Sequence, residues 1–266
     1  MTDKEGRVEE SLALLEGAAK AGRLRAPEAA SLRGRLQYTR SQTFGRTGAV
    51  GLQALSALAS TAGMAATLGI RDLADFWLEH FRARCPRRIN VFDDRPPVCV
   101  FTDGAVESED CGKRVTIGGV LFDPLCLSAP EYFAEQVAGD VVKDWCAAGV
   151  RHPVYLAELL PLAVAAATWQ LRLAGRRAFF FLDNDAARSA AIRGFSLSPV
   201  AARLVTGLWA EITKAGAYVW FARVASASNP ADAPSRLAKV PAEWAQVGAV
   251  VPTFLAKQRW FRSVPK

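Results

Sequence analysis

The chain has 266 residues, 51% of them hydrophobic, and its 33 lysines and arginines outnumber 26 aspartates and glutamates, giving a formal charge of +7. That length and apolar content suit one good core and a smaller second one, and the positive balance favours a polyanionic partner, although the same charge also serves solubility. Five cysteines with no Cys-x-x-Cys pair, two histidines (His80 and His152), a charged start and no apolar run of roughly 18 residues argue against a disulfide framework, a zinc site, a signal peptide and a membrane span, so a soluble intracellular protein of the nucleus or cytoplasm is expected.

From Arg7 to about Ala19, Val8, Leu12, Leu14, Leu15 and Ala18 fall at helical spacing and predict a short amphipathic helix. A second helix is predicted from Pro27-Glu28, where proline fits the first turn and the acid suits the helix dipole. It carries Arg33, Arg35 and Arg40 past Leu36 and ends at Gly45 or Gly48. Val50 to about Leu68, rich in alanine and leucine, predicts a buried helix, and Asp72 to His80 a fourth. Residues 1–92 are thus expected to be a helical region without a catalytic cluster, closing on the basic, proline-broken stretch Arg82 to Arg88. Those arginines fit a solvated linker between two domains as well as they fit phosphate contacts.

Pro96 and Pro97 stop any helix from entering Val98-Cys99-Val100-Phe101-Thr102-Asp103-Gly104, whose β-branched and aromatic residues predict a buried strand that ends by delivering Asp103. Gly104 lets another backbone or a ligand approach the carboxylate. Lys113 to Phe122, with Gly118-Gly119 at a bend, predicts a second strand and Glu131 to Val137 a third, together an antiparallel meander. Tyr155 to about Leu173 predicts one helix with a broad apolar face, kinked at Pro161. Arg177 to Leu182 has the apolar pattern of a fully buried strand and ends at Asp183. Helices follow from about Ala186 and from Pro199 to Ala215, then a strand from Ala217 to Val224. A polar turn, Ser226 to Ala231, leads into a helix that opens at Asp232. This order is an α/β layer arrangement over residues 93–240, with 241–266 left as a C-terminal tail.

Three acids stand in comparable places, Asp103 and Asp183 closing apolar strands and Asp232 opening a helix, while Glu158 lies one turn into the Tyr155 helix. Ligands of open α/β sheets gather beyond the carboxyl ends of strands, where such groups converge. At about 4 Å and an effective dielectric near 20, each like-charged pair costs on the order of 4 kcal/mol, so a convergent cluster calls for a counter-ion. Two Mg²⁺ ions, or Mn²⁺, answer that need, because hard divalent cations prefer oxygen ligands. Such a pair activates water and stabilises the leaving oxygen of an in-line phosphodiester cleavage.

Thr102-Asp103-Gly104-Ala105, Gly118-Gly119-Val120-Leu121, Ala157-Glu158-Leu159, Leu182-Asp183-Asn184 and Asn229-Pro230-Ala231-Asp232-Ala233-Pro234-Ser235-Arg236 resemble, in that order, the blocks of the ribonuclease H domain of retroelement reverse transcriptases, over about residues 95–240. The resemblance implies a ribonuclease H-like α/β fold, a mixed five-stranded sheet with flanking helices, preceded by the small all-helical region. It implies that Asp103, Glu158, Asp183 and Asp232 are the catalytic and metal-binding acids, holding two Mg²⁺ and cutting the RNA strand of an RNA–DNA hybrid. Gly104, Asn184, Arg188, Asn229, Ser235 and Arg236 are the candidate contacts to nucleic acid. Leu32-Arg33-Gly34-Arg35-Leu36-Gln37 and Phe44-Gly45-Arg46 resemble, more softly, the helical thumb or connection region that follows the polymerase palm in such elements.

No Tyr-x-Asp-Asp signature is present, so no polymerase activity is expected, and any palm would be supplied in trans. Many members of the family place a histidine in the loop before the last acid; Val224 to Ala231 has none, which predicts slow turnover or a substitute group. Asp183-Asn184-Asp185 also resembles the nucleophile motif of haloacid-dehalogenase-type phosphatases, from which Ala186 departs. Plain structural roles compete at each acid: a solvent-facing Glu158, an N-cap at Asp232, a turn at Asp103. The rivals to a hybrid endonuclease are an exonuclease relative and a catalytically silent remnant that binds nucleic acid or serves a structural role.

Overall fold

The computed structural model describes residues 5–42, 46, 48–60, 73–74, 77–78, 93–109, 112–126, 129–150 and 152–255. The chain divides into two compact units, Met1–Asn90 with Arg193–Ala202, and Val91–Ile192 with Arg203–Lys266.

The first unit is built on helices. α1 (Glu5–Ala21) and α2 (Ala26–Gln42) bury Leu15, Ala18, Ala29, Leu32 and Leu36. Arg35 pairs with Glu10 at 2.7 Å across them. Glu28 accepts the backbone N–H of Arg25 at 3.0 Å, one half of a capping box at the start of α2. α3 (Ala49–Ala59) buries Val50, Leu52 and Leu55, and it ends short of the predicted Leu68 because Ser60 turns to extended backbone. Of the predicted Asp72 to His80 helix, Leu73, Ala74 and Trp77 are buried and Leu78 is half-buried; the rest of that run and the stretch Arg82 to Arg88 lie outside the described residues.

The second unit is an α/β arrangement around a mixed sheet. β1 (Val98–Glu109), β2 (Gly112–Phe122) and β3 (Glu131–Gln136) form the expected antiparallel meander. α4 (Gly139–Ala147), α5 (Val154–Thr168) and α6 (Gln170–Leu173) lead to β4 (Arg177–Leu182), which lies parallel to β1. α7 (Asp185–Arg193) and α8 (Pro199–Ala215) lead to β5 (Tyr218–Arg223), parallel to β4. Parallel neighbours require such helical crossovers. A 3₁₀ turn (Ser226–Ser228) and the one-turn helix α9 (Asp232–Ser235) follow, then β6 (Ala245–Gln246). The strand order is β5-β4-β1-β2-β3-β6. α5 is buried from Leu156 to Ala166 and apolar throughout that stretch except at Glu158, as suits a helix at the centre of a layered core. Among the described residues no helix is long and apolar enough to cross a membrane.

Four differences from the sequence expectation bear on the site. β1 does not end at Asp103: β2 carries it on to Glu109, with Asp103 opposite Gly118, while its pairing with β4 stops at Phe101 and Phe181. The sheet has six strands and not five, because the expected tail adds β6 beside β3; Ala245 donates to the Pro130 carbonyl at 2.9 Å and Val247 to that of Tyr132 at 2.8 Å. A two-residue strand carries no periodicity to read. α4 escaped prediction, although Val141, Val142 and Trp145 give it a buried face. The Tyr155 helix divides at Trp169, which leaves helical backbone (φ −101°, ψ 26°) and sets its indole 5.4 Å from the Phe133 ring, with its N–H on Glu131 at 3.0 Å. Pro161 lies inside α5, as expected. Proline has no N–H for the carbonyl four residues back, and that carbonyl, of Ala157, is the one pressed onto β1: a Cβ built on Gly104 would meet it at 2.1 Å.

Candidate metal centre

Asp103 and Asp183 are set side by side by strand register. The parallel pairing of β1 and β4 runs Val98 to Ala178, Cys99 to Phe179, Val100 to Phe180 and Phe101 to Phe181. Each acid lies two residues beyond the last pair, Asp103 still within β1 on the face of Phe101 and Asp183 just past the end of β4. The Phe101 and Phe181 rings stack at 4.6 Å with 13° between their planes, which fixes the two strands to each other below the carboxylates.

Glu158 comes over from α5. The close contact of the Ala157 carbonyl with Gly104 brings this turn of the helix onto β1, and Glu158 on the next position reaches the two aspartates. Asp103, Glu158 and Asp183 each offer a carboxylate oxygen within 4.8 Å of the other two. Asp103 and Glu158 are both only 6% exposed, and Oε2 of Glu158 is buried without a hydrogen-bond partner. Burial, and then the charges of Asp103 and Asp183, push the Glu158 carboxyl up to about 9. Burial also raises Asp103, with Asp183 and Asp232 pushing the same way against the hydrogen bond from Ser235. A solvent-facing Glu158 is therefore excluded.

Asp232, the first residue of α9, lies outside the mutual 4.8 Å set, although its charge reaches Asp103. Its Oδ1 accepts from Nε of Arg236 at 2.9 Å. The rest of this segment is bolted to β1. Ser235 is fully buried and donates its hydroxyl to Oδ2 of Asp103 at 2.5 Å. A Cβ on Gly118 would meet the Ser235 backbone nitrogen at 2.3 Å, so α9 can sit this close to β2 only over a glycine. Asn229, also buried, donates to the Thr102 carbonyl at 3.1 Å and accepts from the Ala231 N–H at 3.1 Å. In the loop that lacks histidine, Ser226 donates to Oδ2 of Asp183 at 2.6 Å.

Three carboxylates, one ending in a buried oxygen with no donor, make a set that suits a hard divalent cation such as Mg²⁺ or Mn²⁺, which takes oxygen ligands and relieves the repulsion between them. No soft or nitrogen donor belongs to the set. Comparison of the chain with protein families, curated proteins and solved structures finds no match.

The six candidate nucleic-acid contacts divide. Gly104 is occupied by the backbone of α5, and Asn229 and Ser235 are interior bolts of the site. Asn184 caps α7 by accepting from the Ala187 N–H at 3.0 Å. Arg188 pairs with Asp185 at 2.9 Å, and Arg236 with Asp232; both guanidinium groups reach solvent. Asp185 is directed to Arg188 and, at 3.7 Å, to Arg223, not to Asp183, so the second acid of a phosphatase-type motif is not assembled. Ser226 escaped the sequence analysis, since nothing in a turn of small polar residues singles out one hydroxyl.

Proposed function

We propose that the second unit is a ribonuclease H-like nuclease of retroelement reverse-transcriptase origin that hydrolyses the RNA strand of RNA–DNA hybrids. The observation that carries this is the convergence of Asp103, Glu158 and Asp183 within 4.8 Å around a buried, partnerless Glu158 oxygen. A mixed sheet with flanking helices, and acids drawn from β1, from α5 and from the end of β4 in the order of the resemblance, support it. Asp103, Glu158, Asp183 and Asp232 would hold two Mg²⁺ ions. When bound, the ions supply an activated water and neutralise charge at the departing oxygen.

The chain's own residues prepare the site. Ser235 and Ser226 each fix one oxygen of an aspartate, which holds the ligand oxygens in place before a cation arrives. Glu158 keeps a proton in the empty site and gives it up on loading. Affinity for the hybrid comes from phosphate contacts by exposed arginines and from duplex shape, and so falls steeply with salt. The test is a comparison of RNA–DNA, RNA–RNA and DNA–DNA duplexes of one sequence with Mg²⁺. Cleavage confined to the RNA of the hybrid is expected. Binding of the hybrid without cleavage, in Mg²⁺ or Mn²⁺, would instead make the chain a silent binding remnant.

A further inference from the structure

Asp232 is the fourth acid of the site, yet its carboxylate is turned to a cation of its own chain. Nε of Arg236, four residues on, donates to Oδ1 at 2.9 Å, while the backbone N–H of Arg236 reaches the Asp232 carbonyl at 3.2 Å. Between them Ser235 is tied to Asp103, so α9 itself is fixed and the arginine side chain is the movable part. The Arg236 and Asp232 side chains are 58% and 47% exposed. The guanidinium also lies in the field of Asp103 and Glu107, at the edge of the cluster, where a phosphate oxygen would meet it.

We propose, resting on the nuclease function above, that Arg236 is a latch on Asp232: it withholds the fourth carboxylate from the metal centre until a backbone phosphate of the substrate takes the guanidinium. Arg236 is then a positioning residue acting through Asp232. Cation loading is uneven in consequence. The triad of Asp103, Glu158 and Asp183 takes a first ion from the free protein, and the position that needs Asp232 fills weakly until Arg236 moves.

Mn²⁺ binding, counted by the loss of the free-ion paramagnetic signal, tests this without any turnover. Wild type, Arg236→Gln, Asp232→Asn and the double variant are titrated, with the folded state of each checked by circular dichroism. Wild type is expected to bind one ion tightly and a second weakly. Arg236→Gln is expected to bind the second about fivefold tighter, near the most that an exposed ion pair can withhold, with the first unchanged within about twofold. The double variant is expected to lose that gain, since no carboxylate remains to be released. A hybrid whose RNA strand is 2′-O-methylated is expected to give wild type the same gain and to give Arg236→Gln none.

Equal tightening of both ions in Arg236→Gln overturns the latch in favour of a general field effect, and an unchanged or weaker second ion overturns it outright. A wild type that binds no Mn²⁺, like Asp103→Asn, removes the metal centre itself. One tight ion in wild type with no effect of Arg236→Gln removes only the latch.

Discussion

Ser235 and Asp103 are 132 residues apart in sequence and share a 2.5 Å hydrogen bond inside the second unit. The bond joins the last helix of the site to its central strand, and it also favours the ionised form of an acid that burial otherwise raises. Ser235→Ala removes a donor to a buried carboxylate, which costs about 1.5–3 kcal/mol where the carboxylate is charged. The expected result is weaker Mn²⁺ binding, with a deficit that shrinks as pH rises, because loss of the donor raises Asp103 further. A deficit independent of pH would assign Ser235 to packing alone. Ser226→Ala, at a more exposed bond, should weaken Mn²⁺ binding by less.

Stability of the metal-free protein should be greatest near the ordinary carboxylate range, about pH 4, because two buried acids are displaced in opposite directions. Burial works to raise Asp123, but the hydrogen bond and charge of Arg176 outweigh it and hold that carboxyl below its ordinary range. Its contribution is therefore present above the unfolded value and lost as pH falls through the lower, folded one. Glu158 goes from an ordinary 4.5 to about 9, so the folded chain binds a proton that the unfolded chain has released, and stability declines as pH rises across that interval. Urea midpoints against pH should show both limbs. Glu158→Gln should flatten the alkaline limb, and Mg²⁺ should restore stability there; a Glu158→Gln profile as steep as wild type would contradict the assignment.

The Arg176–Asp123 pair, at 2.7 Å with both side chains nearly enclosed, also fastens the entry of β1, since Arg176 donates to the Pro96 carbonyl at 3.0 Å. Asp123→Ala strands a buried guanidinium, and a loss of about 3–5 kcal/mol is expected. The double replacement Asp123→Leu with Arg176→Met should recover most of it. Equal destabilisation by single and double variants, measured in urea, would show that the Pro96 bond and not the ion pair matters.

Gly104→Ala and Gly118→Ala should each destabilise the fold by about 1–3 kcal/mol or more, because the added methyl meets backbone: the Ala157 oxygen at 2.1 Å and the Ser235 nitrogen at 2.3 Å. Both should also weaken Mn²⁺ binding, since these contacts place Glu158 and Ser235. Gly248→Ala, with nothing within 4 Å, is the control, expected within about 0.5 kcal/mol of wild type. Unchanged midpoints for the first two would mean that α5 and α9 do not sit on those glycines.

Strands and helices with strong periodicity were legible in the chain itself: Pro199 to Ala215 has its predicted bounds, and Arg177 to Leu182 ends, as expected, beside Asp183, although it alternates exposed and buried residues, with Phe179 exposed, where a fully buried strand was expected. What the residues could not tell is how far a partner prolongs an element. β1 outruns Asp103 because β2 is there to pair with it, and β6 exists because Trp244 settles on Phe122 and Tyr132, at 6.0 and 6.4 Å between rings. Three acids of the candidate site could be named from their positions at strand ends and on one helix, and they do meet. The state of the fourth could not, since the ion pair between Asp232 and Arg236 depends on side-chain placement and not on spacing alone. Ser226 became visible only once the loop had brought it to Asp183.

The most direct test of the whole account is cleavage of an internally labelled RNA–DNA hybrid with Mg²⁺, wild type beside Asp103→Asn and Asp183→Asn. Internal cuts in the RNA strand by wild type, with both variants silent yet still binding the hybrid, are predicted. Cleavage that survives either substitution would show that the acids held side by side by β1 and β4 are not the catalytic centre.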